Sequence, residues 1–284
     1  MSILDYEKAK KLGEKSYRHE VSRGRYPYLP ALDYMLKNRD TLKTENLGVR
    51  EIPIYLICGT LTLGRQEAFA KNYMPLLGED SEFAAKWIHL LSYQENEGIT
   101  DAVKAHEFMG RFYISEGNKR VSVLKYLGQP DILADITRIL PPENSTSKEA
   151  RIYREFMKFF DCTGIYGIYF SEEGCYSKLA DMYGMDLESA WPDDVILILK
   201  SSFYTFTRLY SQHCGEHVMT LGDSFMIYME KFTPDSLLND SDEAIRAKLG
   251  KIWPGHMTLL ERLRKFCAEL RSGAGGHEDS SGQR

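Results

Sequence analysis

The stretch of sequence that decides the fold is Arg111-Phe112-Tyr113-Ile114-Ser115-Glu116-Gly117-Asn118-Lys119-Arg120. Its first half is apolar and aromatic, which predicts a strand over 111–115. The residues Glu116-Gly117-Asn118 then predict a tight turn, and a helix is predicted over 119–127, with Gly128 as its terminator. The sequence therefore predicts a strand, a turn and a helix in immediate succession, with charged residues gathered at the turn.

Further strands are predicted on both sides of this unit. The segment 100–108 precedes it and is joined to it by a turn at Met109-Gly110, and the segment 132–140 follows it with alternating apolar residues. An earlier strand is predicted at 51–58, where β-branched and apolar residues lead into the loop 59–65. Helices are predicted in front of these strands and between them, at 5–22, 31–39, 65–74 and 81–97.

Pro141-Pro142 and the polar residues up to Ser147 mark a change in composition, which predicts a domain boundary. The predicted organisation is a small mixed-sheet domain with leading helices at 1–142, a helical domain at 148–270 and a disordered tail at 271–284. The predicted fold class is therefore α+β. The helices predicted after the boundary lie at 148–160, 175–183, 193–212, 222–231, 241–250 and 256–270.

The composition is that of an ordinary globular protein, with 284 residues of which 43% are hydrophobic and 27% charged. No run of about 18 apolar residues occurs, which predicts that no helix crosses a membrane, and the first residues do not resemble a signal peptide. The five cysteines are scattered and form no Cys-x-x-Cys pair. This pattern favours free thiols in a reducing cytoplasm over disulfides or a cysteine zinc site.

Charge is distributed unevenly along the chain. The net charge of −5 argues against a protein that binds nucleic acid over its whole surface. Residues 1–50 nevertheless carry a net charge of +4, and residues 104–125, which surround the turn, carry +3. The turn is therefore a favourable place for an anion, whereas DNA stays an open partner that the rest of the surface does not favour.

Three physical features make the turn Ser115–Arg120 the main site candidate. The first backbone N–H groups of the predicted helix and the positive end of its dipole point at the turn. Gly117 allows an anion to approach the backbone closely. Lys119 and Arg120 add two cations, and an arginine can bind phosphate oxygens in bidentate fashion. These features predict a phosphate site formed by Gly117, Asn118, Lys119 and Arg120.

Glu116 is an acid at a place where an anion is expected to bind. A carboxylate there suits a Mg²⁺ ion shared with phosphate oxygens, or a base that accepts a hydroxyl proton, which makes Glu116 the candidate catalytic residue. The structural alternative is that Asn118 caps the helix and that the charged residues lie on its exposed first turn. The residues alone leave both interpretations open.

The region from residue 91 to residue 140 resembles the ParB/sulfiredoxin-like domain. The resemblance rests on Glu116-Gly117-Asn118-Lys119-Arg120, which has the form acid-Gly-polar-basic-Arg, and on the helix, glycine and strand that follow it. The box Gly98-Ile99-Thr100-Asp101 in front of the predicted strand at 100–108 adds to it. Taken with the earlier strand, the resemblance covers about residues 51–140. This part of the chain is similar to bacterial ParB-like proteins.

In this superfamily the turn binds a nucleotide or another phosphate. The resemblance therefore implies a nucleoside triphosphate and Mg²⁺ as ligands, with Gly117, Lys119 and Arg120 at the phosphates and Glu116 near the metal. Members of the superfamily include CTP-binding DNA segregation clamps, ATP-dependent enzymes that act on a sulfinic acid, free-serine kinases and nucleases.

Two other loops are candidates for the same pocket. The box with Gly98 and Asp101 matches a family element that packs beside the nucleotide, as the resemblance implies. The loop after the strand at 51–58 offers Thr60, Thr62 and Arg65, which are polar groups suited to phosphate oxygens. An ordinary strand-to-helix turn explains this second loop at least as well.

Two departures from the family pattern limit what the resemblance implies. Sulfiredoxin chemistry needs a cysteine inside the turn, where this chain has Asn118. The segregation clamps carry a Glu-Asn-x-x-Arg box downstream, whereas Glu143-Asn144 is followed here by Ser, Thr and Ser. Sulfinic acid repair is therefore disfavoured, and clamp formation with CTP hydrolysis lacks its expected motif.

Three elements of the helical domain are weaker candidates. The segment 177–186 resembles the first half of a helix-turn-helix, but the residues after it are acidic and interrupted by Pro192, which disfavours DNA reading. His213 and His217 have a spacing found in metal sites, yet no third ligand is evident and an inter-helix loop is favoured. The aromatic residues within 203–210 have helical spacing and are predicted to pack in a core rather than stack on bases.

The sequence supports three hypotheses on function. The first is a ParB-like protein that binds a nucleotide or phosphate and acts in a DNA-associated or regulatory role. The second is a phosphotransferase or nucleotide hydrolase acting on a small substrate, in which Glu116 orients a hydroxyl or a water. The third is a non-catalytic interaction module whose turn is only structural. The identity of the nucleotide, the second substrate and the oligomeric state are left open.

Overall fold

The computed structural model describes residues 3–36, 39–214 and 219–254. Within these ranges the chain forms a five-stranded mixed sheet and a series of α-helices, so the predicted α+β fold class is confirmed. The chain divides into two compact units, Met1–Arg154 and Glu155–Arg284. Among the described residues, no helix is both long and apolar enough to cross a bilayer.

The sheet belongs to the first unit. Its strands are β1 (Thr44–Pro53), β2 (Ile57–Thr60), β3 (Val103–Phe108), β4 (Arg111–Glu116) and β5 (Asp131–Ile139). Their order in the sheet is β1-β5-β3-β4-β2. The pairs β1–β5 and β3–β4 are antiparallel, and the pairs β3–β5 and β2–β4 are parallel. Because parallel strands point the same way, β2 and β4 end at the same edge of the sheet, and this edge carries the predicted turn.

The predicted strand at 51–58 is wrong as a single element, because it spans the end of β1 and the start of β2. Pro53 ends β1, since proline has no N–H to donate to a ladder, and a 3₁₀ turn at Ile54–Leu56 separates the two strands. β1 also begins much earlier than predicted. It lies at the edge of the sheet and most of its residues are exposed, so its composition is too polar to indicate a strand.

Four α-helices accompany the sheet in the first unit. They are α1 (Ile3–Ser22), α2 (Leu32–Met35), α3 (Glu82–Asn96) and α4 (Asn118–Tyr126). The helix predicted at 65–74 is wrong, because only a 3₁₀ turn forms there, at Leu63–Ala68. Phe69 leaves it with extended backbone angles and pairs with Pro75 in an isolated bridge.

The helices of the first unit pack through buried aromatic rings. Tyr6 on α1 and Trp87 on α3 are fully buried and meet edge to face, with ring centroids 5.5 Å apart. The indole N–H of Trp87 donates to Ser122 Oγ on α4 at 2.9 Å. A buried indole needs such a partner, and the bond fixes α3 against α4 and so against the turn.

A buried charged network joins the sheet to the start of α5 (Lys148–Thr163). Arg138 Nε on β5 donates to Glu107 Oε2 on β3 at 2.7 Å, and Tyr153 on α5 donates its hydroxyl to the same carboxylate at 2.7 Å. The backbone N–H of Gly110 donates to Glu107 Oε1. The first turns of α5 therefore belong with the sheet, some residues beyond the proline pair at which the sequence predicts the boundary.

The second unit is helical throughout the part that the structure describes. After the end of α5 it contains α6 (Cys175–Met182), α7 (Asp193–Cys214), α8 (Leu221–Phe232), α9 (Asp235–Asn239) and α10 (Asp242–Ile252). The helix predicted at 256–270 and the tail predicted at 271–284 lie outside the described residues.

The weaker candidates of the second unit have structural explanations. Between α6 and α7 the segment 183–192 is a loop organised by Asp186, whose side chain accepts two backbone N–H groups, so the short turn of a helix-turn-helix is not formed. His213 is buried in α7 with Nε2 at 3.2 Å from the carbonyl of Trp253, and His217 lies outside the described residues. Phe206 and Tyr210 are buried and stacked, as predicted.

Candidate functional site

The turn between β4 and α4 has a geometry that only glycine tolerates. Gly117 has φ +105°, and a Cβ placed on it would lie 2.6 Å from Val103 Cγ1. Gly117 also occupies the cap position of α4, with no side-chain cap bond. Asn118 is the first residue of α4 and not its N-cap. The prediction that Asn118 caps the helix is therefore wrong, and its side-chain amide is available to other partners.

A cavity of about 860 Å³ opens against this turn. Its polar lining residues are those of the turn, Ser115–Arg120, together with Thr60 and Thr62. Its apolar lining residues, which we call the apolar wall, are Ala68, Phe69, Leu77, Phe83 and Leu90. Glu67, Glu82, Lys86 and Gly64 complete the lining. The cavity therefore combines a polar, partly cationic turn with an apolar wall, which is the usual character of a small-molecule site.

The parallel strands β2 and β4 bring Thr60 to the turn. Thr60 Oγ1 donates to the carbonyl of Ile114 at 3.0 Å, and Asn118 Nδ2 lies 3.4 Å from the same hydroxyl oxygen. The hydroxyl of buried Tyr73 donates to the carbonyl of Gly59 at 2.5 Å and lies 3.4 Å from Asn118 Oδ1. These bonds fix the floor of the cavity, so Thr60 and Asn118 position the site as well as line it.

Glu116, the predicted catalytic residue, lines the cavity and is exposed. Lys104 on β3 pairs with it, with Nζ 2.8 Å from Oε2. The hydrogen bond from Lys104, reinforced by its charge, lowers the pKa of Glu116. An ionised carboxylate with a lowered pKa is better suited to a cation than to proton abstraction near neutral pH.

Arg120 lines the cavity and also ties down the loop in front of β3. Its Nη1 donates to the backbone carbonyl of Asp101 at 2.9 Å and to that of Ala102 at 3.2 Å. Asp101 therefore meets the turn through its backbone rather than its carboxylate. Gly98 ends α3 with φ +81°, and neither Gly98 nor Asp101 is among the residues that line the cavity.

Three predicted site residues remain, Lys119, Thr62 and Arg65, and the structure describes the side chains of the first two. Lys119 lies on the lining with Nζ 4.9 Å from the centre of the Phe83 ring, and Thr62 is an exposed residue of the same lining. Arg65 belongs to the 3₁₀ turn Leu63–Ala68, and its side chain is outside the described part of the chain. Seven of the ten predicted site residues thus line one cavity, namely Thr60, Thr62 and Glu116–Arg120.

The sequence did not point to the apolar wall or to Lys86. Glu82, Lys86 and Leu90 follow one another at intervals of four residues on α3, so they share a helix face. This spacing is the sequence signal that could have identified Lys86. Lys86 pairs with Glu82 on that face. That this face meets the turn depends on the packing of α3 on α4, which no local pattern encodes.

The residues fit Mg²⁺ only in a limited way. No group of three or more His, Cys, Asp or Glu side chains suited to a metal occurs in the described residues. Mg²⁺ bound with a nucleotide usually takes one or two carboxylates and completes its shell with phosphate oxygens and water. Glu116 would be the protein ligand in such an arrangement, with the phosphates of the nucleotide supplying what the protein does not.

No protein-family model matches the chain, and no curated protein matches it either. The assignment of function therefore depends on the geometry of the cavity and on the resemblance of the turn.

Proposed function

We propose that the protein is a ParB-like nucleotide-binding protein and that the cavity at the β4–α4 turn is its site. The observation that carries the proposal is that the lining of this cavity combines the polar turn with apolar and aromatic residues. Phosphates would lie against Gly117 and Lys119, where the first N–H groups of α4 and a cationic side chain converge. The base and ribose would lie against the apolar wall, which includes Phe69 and Phe83.

The charges of the lining support a nucleotide with its metal rather than a bare polyanion. Lys86, Lys119 and Arg120 are opposed by three carboxylates, those of Glu67, Glu82 and Glu116. A triphosphate alone would be repelled by the acids, whereas Mg²⁺ between Glu116 and the phosphates would reverse that repulsion. We therefore expect Mg²⁺ to strengthen binding.

The proposed role is regulatory or DNA-associated, in the cytoplasm. The four described cysteines, Cys58, Cys162, Cys175 and Cys214, are free thiols, which supports a reducing compartment. The net charge of −5 does not favour a broad DNA-binding surface, so a nucleotide-dependent switch is the form of the proposal that the charges favour.

A catalytic role is the second candidate, and the position of Glu116 favours it. An ionised carboxylate on the lining beside Lys119 is placed to hold Mg²⁺ for phosphoryl transfer or nucleotide hydrolysis. This candidate predicts turnover of a nucleoside triphosphate that Glu116→Gln abolishes while nucleotide binding survives.

The deciding experiment measures nucleotide binding to the full chain by isothermal titration calorimetry. ATP, CTP, GTP, UTP and inorganic phosphate are each titrated with and without Mg²⁺. We expect one or more triphosphates to bind, more tightly with Mg²⁺, and Lys119→Gln to weaken binding about tenfold, since a charge-assisted hydrogen bond is worth about 1.5–3 kcal/mol.

Lys15→Gln is the matched control, because Lys15 is an exposed lysine of α1 that does not line the cavity. It should bind nucleotide as the wild type does. If no nucleotide or phosphate binds the wild type, the proposal is wrong and the turn is only structural. If Lys119→Gln and Lys15→Gln weaken binding equally, the nucleotide binds elsewhere.

A further inference from the structure

A second cavity, of about 420 Å³, lies beside the first. Glu67 and Leu77 line both of them. The other lining residues are Glu14, Tyr17, Arg18, Tyr28 and Leu76. Because two aromatic rings and two carboxylates belong to so short a lining, we call it the tyrosine cavity and ask which ligand this chemistry would recognise.

The aromatic rings of the tyrosine cavity are set at large angles to one another. Tyr17 and Tyr28 have ring centroids 5.4 Å apart and ring planes 65° apart. Tyr26 is not a lining residue but packs on Tyr28, with ring centroids 5.6 Å apart and ring planes 63° apart. Rings in such an arrangement present faces in different directions around a corner. They cannot sandwich a flat ligand between parallel faces, but they can surround a rounded group on more than one side.

The carboxylate of Glu67 supplies negative charge beside these rings. Burial first, and then the charge of Glu67, raises the pKa of the Tyr26 phenol. A hydrogen bond with Tyr17 and burial raise the pKa of the Tyr28 phenol, and Glu67 adds to this. No ion pair of Glu67 is found among the side chains that the structure describes.

The one cation on the lining is already balanced. Arg18 Nη2 lies 3.6 Å from Glu14 Oε2, one turn earlier on α1, and both side chains are largely exposed. The net charge that remains on the lining is that of Glu67. A phosphate or carboxylate ligand would meet repulsion there, whereas a cation would meet a carboxylate and the negative faces of the rings.

We propose that the tyrosine cavity binds an organic ammonium group, held by Glu67 and by the rings of Tyr17 and Tyr28. A methylated ammonium fits best, because it is weakly hydrated, rounded and attracted by aromatic faces. The site is separate in its chemistry from the anion-binding turn, and the proposal does not depend on nucleotide binding there.

Choline chloride tests the proposal, with 3,3-dimethylbutan-1-ol as its uncharged isostere. Each is titrated into the full chain by calorimetry, at constant chloride concentration. We expect choline to bind at least about tenfold more tightly than the isostere, which corresponds to about 1.4 kcal/mol and lies within the range of cation–π and ion-pair contacts.

Three variants of the lining and one control variant locate the site. Glu67→Gln and Tyr28→Leu should each weaken choline binding about tenfold, while Tyr28→Phe should retain it, because the ring rather than the hydroxyl holds the cation. Glu95→Gln, which removes an exposed carboxylate of α3 away from the lining, should bind choline unchanged. Thermal unfolding of each variant confirms that it is folded.

Several outcomes would overturn the proposal. Equal binding of choline and its isostere would show an apolar pocket without charge recognition. Undiminished binding by Glu67→Gln would place the cation elsewhere. Undiminished choline binding by Tyr28→Leu would show that the ring of Tyr28 does not hold the cation. Lys119→Gln should bind choline as the wild type does, so a failure of nucleotide binding and a failure of this proposal are distinguishable.

Discussion

Strand β3 takes part in two ion pairs, each between a glutamate and a cationic side chain, that differ in burial. Lys104, near its start, pairs with Glu116, and these side chains are 63% and 60% exposed. Glu107, near its end, pairs with Arg138, and these side chains are 0% and 2% exposed. The first pair lies at the mouth of the candidate site and the second in the core.

The difference in burial decides what each pair does. Water and ions screen the exposed pair, so it contributes little to stability, and Glu116 can exchange Lys104 for another cation. The buried pair is costly to desolvate but is completed by Tyr153 and Gly110, so removing Arg138 leaves the buried carboxylate of Glu107 without a cationic partner. One end of β3 is therefore suited to bind, and the other end holds the fold.

The largest effect is expected from Arg138→Leu. The carboxylate of Glu107 would stay buried without its cationic partner, and we expect a loss of about 3–5 kcal/mol in the free energy of unfolding. Urea denaturation followed by circular dichroism measures this loss. Tyr153→Phe, which removes one neutral donor from the same carboxylate, should cost only about 1–2 kcal/mol.

The double variant Glu107→Leu/Arg138→Leu makes this test sharper. It removes both charges, so it should be more stable than Arg138→Leu alone. If the double variant is less stable than the wild type by the sum of the losses measured for Glu107→Leu and Arg138→Leu separately, the pair is not coupled and the comparison between the two ends of β3 fails.

Gly117→Ala is expected to have the next largest effect. Val103, the first residue of β3, is buried and leaves no room for a Cβ at Gly117. Gly117 also has φ +105°, a backbone conformation that alanine rarely adopts. Strain of this kind costs about 1–3 kcal/mol, and the shift of the turn should also weaken nucleotide binding. Thermal and urea unfolding measure the loss.

The matched control is Gly78→Ala. A Cβ there would meet nothing within 4 Å, so its stability should stay within about 0.5 kcal/mol of the wild type. If Gly117→Ala is equally harmless, the turn is not fixed by its contact with Val103. The backbone at the start of β3 then adjusts to a Cβ more easily than the structure indicates.

The sequence predicted the strand, turn and helix around Gly117 better than it predicted the network in the core. The turn at Gly117 was predictable because its glycine, its charges and the change from strand to helix are local. The pairing of Glu107 with Arg138 was not, since it depends on β3 and β5 lying side by side in parallel. The apolar wall and the early start of β1 were missed for the same reason, because only tertiary packing gives these residues their neighbours.

Lys125 is intermediate in burial between the two ion pairs of β3. It is mostly buried on α4, donates to the carbonyl of Ile57 at 2.9 Å and lies 5.1 Å from the centre of the Tyr73 ring. Burial lowers its pKa from 10.5 to about 8. An unfolded chain would bind this proton up to a higher pH than the folded chain, so stability should rise with pH between these two values.

Urea denaturation from pH 7.5 to pH 10 tests this, with the wild type compared with Lys125→Met. One pKa unit corresponds to about 1.4 kcal/mol, so the contribution of Lys125 should improve by about 1–2 kcal/mol across the range. Other groups titrate there, and the difference between the two proteins isolates the lysine. A difference that is independent of pH would show that Lys125 titrates like an exposed lysine.

The smallest effect on stability, and the most informative about the site, is expected from Lys104→Gln. The midpoint of thermal unfolding should stay unchanged, because both side chains of the pair are exposed. The pKa of Glu116 should nevertheless rise towards its ordinary value, since the hydrogen bond from Lys104 is the main cause that lowers it. A pH titration of the Glu116 side chain by NMR measures this, with Lys104→Arg as the control that keeps the charge. If the pKa of Glu116 stays low in Lys104→Gln, the turn itself holds the carboxylate ionised. In that case the site needs no partner on β3 to present a negative charge to a metal.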